Sequence, residues 1–424
     1  MFLLYNLVLS LLAPLWAPVM LWRSSRRAEK PNWAERAGDF PFRATKDSRR
    51  IWVHAVSVGE VMAALPFLKG LRERLPSHDI VLSVTTSSGH ATARDKAMPY
   101  VKHLVYFPVD VVRFQMAAMT RVRPEVVAIM ETELWPNFLW AAKAFDAKTV
   151  LVNGRISDRS FRRSRWVLPL YRWMLRQVDA ALMQTEGDAE RIRALGAGEV
   201  RVVGNTKFDE AAQIADEGPR WRAELGLGEA FVVVVGSTRS EMEEDLVVAA
   251  LERAFGDALR SGEVKVVHAP RHLERAPDVL AKASSRFGEA ALRTSGNVAP
   301  YLVLDTYGEL GGVYAAADAV VVGGGFDRLG GQNILQPLAL GKPVLHGPHM
   351  HNFRDIAAAS LEAGASVTCG DAEALADQLT ALRQDPALRR QMGDAARGLV
   401  QANLGAGKRY AEAVAALIEL APPR

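Results

Sequence analysis

From residue 51 onward the chain repeats one pattern: a short apolar run rich in Val and Ile, then a longer stretch of helix-like composition. In the first half the runs are RIWVHAV, DIVLSVTT, HLVYFP, VVAIM and KTVLVNG. A second series opens with FVVVVG and continues through VKVVHAP, YLVLD, AVVVGGG and PVLHG. Strands alternating with helices predict parallel sheets with crossover helices, hence an α/β protein of two doubly wound, Rossmann-like domains. Between the series, AAQIADEGPRWRAELGLGEA loses the strand pattern. The boundary is placed there: 23–210 as the N-terminal domain, 211–228 as a linker, and 229–424 as the C-terminal domain, whose last helix is free to pack back on the first. Two such domains facing each other bring the carboxyl ends of both sheets around one central cleft, where function is expected.

The opening segment, MFLLYNLVLSLLAPLWAPVMLW, is apolar over roughly the length that spans a bilayer and is followed at once by RSSRR. No basic residue precedes it, and no convincing small-residue cleavage site ends it. Trp16, Trp22 and the arginines instead suit an interfacial anchor with the body on the cytoplasmic side. Pro14 and Pro18 oppose a straight span, so a bent monotopic helix and a transmembrane helix both fit, with a helix buried on its own domain as the bland alternative. Residues 1–22 are assigned to this membrane-anchoring helix.

Composition adds two constraints. The single cysteine, Cys369, excludes an internal disulfide and a cysteine zinc cluster, and packing is its expected role. Net charge is only +4, yet Arg23, Arg26, Arg27, Lys30, Arg36, Arg43, Lys46, Arg49 and Arg50 crowd the stretch before the first strand, which implies an anionic neighbour. A further stretch, NGRISDRSFRRSRWVLPLYRWMLR, interleaves Phe161, Trp166, Tyr171 and Trp173 with arginines. Such alternation can bind RNA. With an apolar anchor in the same chain, an anionic membrane surface is the simpler partner and nucleic acid is not expected, a solvated helix face being the alternative.

Four strand ends of the second half carry candidate chemistry. VVVVGSTRSEMEED ends a strand in Gly236, Ser237 and Thr238 before an acidic helix, offering N–H groups and hydroxyls to a phosphate, or simply a helix cap. VVHAPRHLER delivers Arg271 and His272, donors suited to a phosphate or to an ordinary surface. LDTYGEL places Tyr307, Gly308 and Glu309 where a ring and a turn could hold a base. Gly323 to Gly325, Gly330 and Gly331 then let main chain approach a ligand closely, with Asn333 and Gln336 beginning a helix behind them. Together these point to a nucleotide or sugar nucleotide. The spacing matches neither the dinucleotide fingerprint nor the P-loop.

In the first half, Ser57 and Glu60 of HAVSVGE have the spacing of a capping box, yet Glu60 also follows the first strand, where a general base would sit. IMETELWPN brings Glu131 and Glu133 to an equivalent rim position beside Trp135, suited to a polyhydroxylated ligand or to capping the next helix. VVGNTKFD ends with Lys207, ordinary and solvated on the bland reading.

The motifs HAVSVGE, METELWPN, GRISDRS, GNTKFD, APRHLER and GELGGVYAAADAVVVGGG, followed by GGQN and QPLALGKPVLHGPHMHNF, together resemble the Kdo transferase family, which adds 3-deoxy-D-manno-octulosonic acid (Kdo) to lipid A precursors. The resemblance runs from the anchor almost to the C-terminus, in the same order. It implies an inverting GT-B glycosyltransferase on the cytoplasmic face of the inner membrane, with CMP-Kdo as co-substrate, a lipid A precursor as acceptor, and no cofactor or metal. It carries the general base onto Glu60 and transition-state stabilisation onto Glu131 and Lys207. CMP contacts fall on Pro270 and Arg271, on Tyr307, Gly308 and Glu309, and on Asn333, Ile334, Leu335 and Gln336. The chain departs from the family where G-G-H-N-x-x-E becomes Gly330, Gly331, Gln332, Asn333, Ile334, Leu335, Gln336, and where Arg239 stands in place of a usual His. A neutral amide at Gln336 lacks the charge that strengthens a hydrogen bond to ribose, so a changed donor, or an idle homologue that keeps the fold, are the competing expectations.

Overall fold

Each of the ten apolar runs forms a strand of one of two all-parallel sheets. A computed structural model of the chain describes residues 1–25, 32–45 and 47–419. Strands β1 (Arg50–Ala55), β2 (Asp79–Val84), β3 (His103–Tyr106), β4 (Val126–Met130), β5 (Lys148–Gly154), β6 (Ala180–Met183) and β7 (Val200–Val202) lie in the order β3-β2-β1-β4-β5-β6-β7. Strands β8 (Phe231–Thr238), β9 (Val264–Pro270), β10 (Ala290–Leu292), β11 (Tyr301–Val303), β12 (Ala319–Val322), β13 (Val344–His346) and β14 (Ser366–Thr368) lie in the order β10-β11-β9-β8-β12-β13-β14. Helices cover both faces of each sheet, which is why strands such as β4 and β12 are buried at every position and apolar throughout.

In both sheets the order reverses beside the first strand, between β1 and β4 and between β8 and β12. At that point adjacent crossovers leave toward opposite faces, and the carboxyl ends of the two strands open a crevice.

The chain divides into two units, Met1–Glu210 joined by the segment from Gly405 onward, and Ala211–Leu404. The final helix, Ala406–Glu419, packs against Val58–Arg74 in the first unit. Small residues allow the approach: a Cβ on Gly407 would lie 2.6 Å from Pro66, and one on Gly70 3.1 Å from Ala411. The Asp209 carboxylate accepts the N–H groups of Gly405 and Gly407, fixing where the chain re-enters. Residues 211–228, expected as a linker, instead carry the helix Gly218–Glu224 within the second unit, because Trp221 is buried and Arg222 pairs with Asp318 at 2.7 Å.

The N-terminal segment forms two helices, Phe2–Leu11 and Ala13–Ser25, bent by 64° at their junction. Pro14 has no N–H to continue the first helix through Leu12. Among the described residues no single helix is long and apolar enough to cross a membrane, although this bent pair is by length and composition. One face docks on the first unit while Leu3, Leu7, Leu11 and Leu15 stay exposed.

Of the basic residues ahead of β1, Arg26, Arg27, Lys30 and Lys46 lie outside the described residues. Arg36, Arg49 and Arg50 each have partners within the protein. Arg36 donates to the carbonyls of Phe107 and Thr85, Arg49 pairs with Glu125, and the buried Arg50 donates to the carbonyls of Arg43 and Arg121.

Candidate active site

At the switch point of the first sheet, β1 ends at Ala55 and Ser57 caps the helix Val58–Arg74. Only half of the capping box forms as the spacing predicts, since Glu60 reaches back to the N–H one residue before the cap. Ser57 Oγ accepts the Glu60 N–H and donates to Glu60 Oε1 at 3.2 Å, while Glu60 Oε2 accepts the Val56 N–H at 2.8 Å. Capping and chemistry are therefore compatible roles of one side chain.

Glu60 is only 8% exposed. Burial pushes its carboxyl up to about 7; the Val56 N–H holds it down, Glu131 and Glu133 raise it further, and the Ser57 hydroxyl again lowers it. A helix N-terminus and enclosure act on this carboxyl in opposite directions, and here enclosure wins because water is excluded on nearly every side. A carboxyl at about 7 is a far stronger base than an ordinary one, yet it is still substantially ionised at neutral pH. Glu133 is also raised, by burial and then by Glu131.

Glu131 follows β4 directly and adopts a left-handed backbone, φ 53°, while its N–H continues the sheet ladder to the Val152 carbonyl at 2.9 Å. Non-glycine residues there carry a cost of about 1–2 kcal/mol, and such strain gathers at functional sites. Lys207 Nζ lies 4.0 Å from Glu131 Oε1, both side chains about three-quarters buried, so Lys207 is not the solvated lysine of the bland reading. Its loop is held by Asn153, at φ 55° on the end of β5, whose Oδ1 accepts the Thr206 N–H at 3.1 Å. Asn153 lies in the strand run KTVLVNG, where nothing in composition or spacing marks it as a functional residue. Its only signal was the tolerance of Asn for a left-handed backbone.

The second unit places its candidates differently from expectation. Strand β8 ends in Gly236, Ser237 and Thr238 as read, with a bulge against β9, but the helix Glu241–Arg260 is capped by Ser240, not by Ser237 or Thr238. Thr238 is fully buried, its hydroxyl bonded to His268 Nε2 at 2.9 Å. A Cβ on Gly236 would lie 1.9 Å from the Tyr314 hydroxyl, so that glycine makes room for a side chain of the fold. Ser237, at φ 63° and partly exposed, keeps its place on the edge.

Nor is the glycine-rich loop a floor of free N–H groups. The fully buried Glu243 takes the N–H groups of Gly324 at 2.8 Å, Arg239 at 3.0 Å and Phe326 at 3.0 Å. A Cβ on Gly347 would meet the Gly325 carbonyl carbon at 2.2 Å, and one on Gly330 would meet the Asn352 amide at 2.2 Å. These glycines chiefly let two main-chain segments touch. Glu243, in sequence only one of several acids in the helix after β8, holds this edge together.

The helix behind the loop starts at Leu335 rather than Asn333 and is five residues long. Asn333 accepts the Leu335 N–H, Ile334 and Leu335 are core residues with no exposure, and Gln336 is partly exposed with its amide over Gly311. Pro270 ends β9, and exposed Arg271 and His272 follow, with the Arg271 N–H bonded to the Thr238 carbonyl. Beyond β11, Tyr307 and Gly308 are exposed, while Glu309 is tied to Arg293 and Thr306. Polar candidates with exposed or half-exposed groups, Ser237, Arg271, His272, Tyr307, Glu309, Asn333 and Gln336, thus share the carboxyl edge of the second sheet.

Residues 31–210 match the family described as 3-deoxy-D-manno-octulosonic-acid transferase (kdotransferase). The chain is 35% identical to the 3-deoxy-D-manno-octulosonic acid transferase of Bordetella pertussis over 97% of its own length and 98% of that protein's. It is 31% identical to the enzyme of the same description from Chlamydia pneumoniae, over 80% of this chain and 78% of the other. In fold it is similar to UDP-GlcNAc 2-epimerase from Neisseria meningitidis, with a TM-score of 0.59 and 12% identity over 88% of this chain and 99% of that one.

Proposed function

Because the chain belongs to the Kdo transferase family, a group of glycosyltransferases of lipopolysaccharide biosynthesis, we propose that it moves Kdo from CMP-Kdo to the 6-hydroxyl of the glucosamine disaccharide of a lipid A precursor, with inversion. The observation that carries this reading is Glu60, an enclosed carboxyl held at about 7 on the switch point of the first sheet.

In the proposed step the Glu60 carboxylate takes the proton of the acceptor hydroxyl as that oxygen attacks the anomeric carbon. The bond from that carbon to the CMP phosphate breaks, and its electron pair leaves with the phosphate. Positive charge then grows on the sugar ring, which Glu131 stabilises, and negative charge on the phosphate, which Lys207 and Arg271 stabilise as charges already in place. The exposed edge of the second sheet, from Ser237 to Gln336, takes the CMP. One phosphate and these cations make a bound metal unnecessary in this scheme, and no cofactor enters.

The acceptor is proposed to be met at the cytoplasmic face of the inner membrane. Exposed leucines of the bent N-terminal pair support this, as do the basic helix Asp158–Ser164 and Trp166, 89% exposed. An anionic membrane surface, not nucleic acid, is the partner that an apolar face beside such a helix suits.

Purified full-length chain, incubated with CMP-Kdo and a tetra-acylated lipid A precursor, tests the reading. Transfer is expected, and Glu60→Gln should abolish it with the fold intact. Folded wild-type protein that transfers nothing would sink the donor and acceptor assignment. A Glu60→Gln variant as fast as wild type would remove Glu60 from its role.

A further inference from the structure

The bent N-terminal pair is fastened to the first unit by a built polar node. Tyr5 Oη donates to Asp110 Oδ2 at 3.0 Å, Asn6 and Asn137 exchange amide hydrogen bonds at 2.8 and 2.9 Å, and Phe2 stacks on Trp140 at 4.4 Å. The Asp110 carboxylate also accepts the N–H groups of Asn137 and Phe138. Beside this node lies a pocket of about 270 Å³, walled on the helix side by Leu9 and Trp16 and on the sheet side by Phe107, Val109, Thr85 and Trp135.

Trp135 Nε1 and Thr85 Oγ1 are buried away from this space, so neither offers it a polar group. Water fills the pocket poorly. The volume would hold roughly nine waters at liquid density, each needing two to four polar partners, and the walls are mostly apolar. An apolar chain matches the walls.

We propose that this pocket takes an acyl chain of the lipid acceptor. Two features select a membrane lipid over another apolar molecule. The helices that wall the pocket expose Leu3, Leu7, Leu11 and Leu15 elsewhere on their surface, so a chain coming from a bilayer has only the width of a helix, about 10 Å, to pass. Thr85 also lies next to the catalytic edge. The Thr86 N–H donates to the Val56 carbonyl, and the Val56 N–H donates to Glu60. A chain seated here would bring its head group toward the ends of β1 and β2.

This inference rests on the lipid reading of the acceptor, and two measurements separate their fates. In the first, full-length protein is photolysed with a tetra-acylated precursor bearing a diazirine in one acyl chain, and the labelled peptides are mapped by mass spectrometry. Labelling of Leu9, Trp16 or 107–109 is expected; labelling confined to the exposed leucines overturns the pocket, whether or not transfer occurs. In the second, Leu9→Trp fills the pocket. Its KM for the acylated precursor should rise about tenfold or more, with the KM for CMP-Kdo and for a fully deacylated, water-soluble acceptor unchanged. Equal KM values of wild type and variant for the acylated precursor would also overturn it. Labelling without any transfer would fault the proposed reaction and leave the pocket standing.

Discussion

The buried carboxylate of Glu243 accepts the main-chain N–H of Gly324 at 2.8 Å, across 81 residues of chain. That bond ties the first turn of the helix after β8 to the loop after β12, the two strands that flank the second switch point. The glycine-rich loop is shaped from within the protein before any ligand reaches it.

Removing that acceptor should therefore be costly. Glu243→Ala leaves the buried N–H groups of Gly324 and Phe326 unpaired, at about 1–3 kcal/mol each, so a loss of about 3 kcal/mol or more is expected. Glu243→Gln keeps one acceptor oxygen and should lose less. Equilibrium unfolding by denaturant measures both, and an alanine variant within about 1 kcal/mol of wild type would contradict the loop's dependence on Glu243.

Glu60 gives a prediction in pH. Its folded-state pKa of about 7 stands above the ordinary 4.5, so the native protein binds the extra proton between those values. The corresponding stability is fully present below about 4.5 and is lost as pH rises through about 7, about 3 kcal/mol in all. Catalysis runs the other way, since the base must be ionised: kcat/KM should rise with pH through about 7 and then level. Glu60→Gln should be more stable than wild type at pH 8, with the gap closing toward pH 5. A wild-type profile that is flat from pH 6 to 8 would exclude this carboxyl as the base.

Glu131 couples strain to chemistry. Glycine tolerates φ 53° without penalty, so Glu131→Gly should stabilise the fold by up to about 1 kcal/mol while transfer falls by about a hundredfold or more. A thermal melt alongside the transfer assay reads both. Lys207→Gln should cost transfer similarly but change stability by less than about 1 kcal/mol, because the 4.0 Å pair is long and partly solvated.

At Gly236 the prediction is steric. Gly236→Ala drives a methyl to within 1.9 Å of the Tyr314 hydroxyl and should cost about 1–3 kcal/mol. Tyr314→Phe in the same chain should recover part of that loss. A double variant no more stable than Gly236→Ala alone would place the strain elsewhere.

Much of the architecture was legible because strand runs buried on both faces cannot hide. The strands that went unread, β6, β7, β10 and β14, have three or four residues each, and three of them lie at sheet edges. AALM and AAL carry little β-branched signal, and the neighbouring strand decides their pairing. Helix starts were legible where a capping residue stood in a spaced motif, as at Ser57. At the glycine-rich loop the start was placed two residues early, since Asn333 bonds to Leu335 from outside the helix.

The sequence by itself determined the two parallel-sheet units, the apolar N-terminal pair, and the positions of Glu60, Glu131 and Lys207 after strands, because each depends on local pattern and spacing. Tertiary structure decided what those groups are. Burial and neighbouring carboxylates set Glu60 near 7, and a left-handed turn brings Glu131 to Lys207. An acid 81 residues away organises the glycine loop, and residues from five separate segments line the pocket beside Trp135. Desolvation and long-range hydrogen bonding are properties of surroundings, and a chain acquires surroundings only by folding.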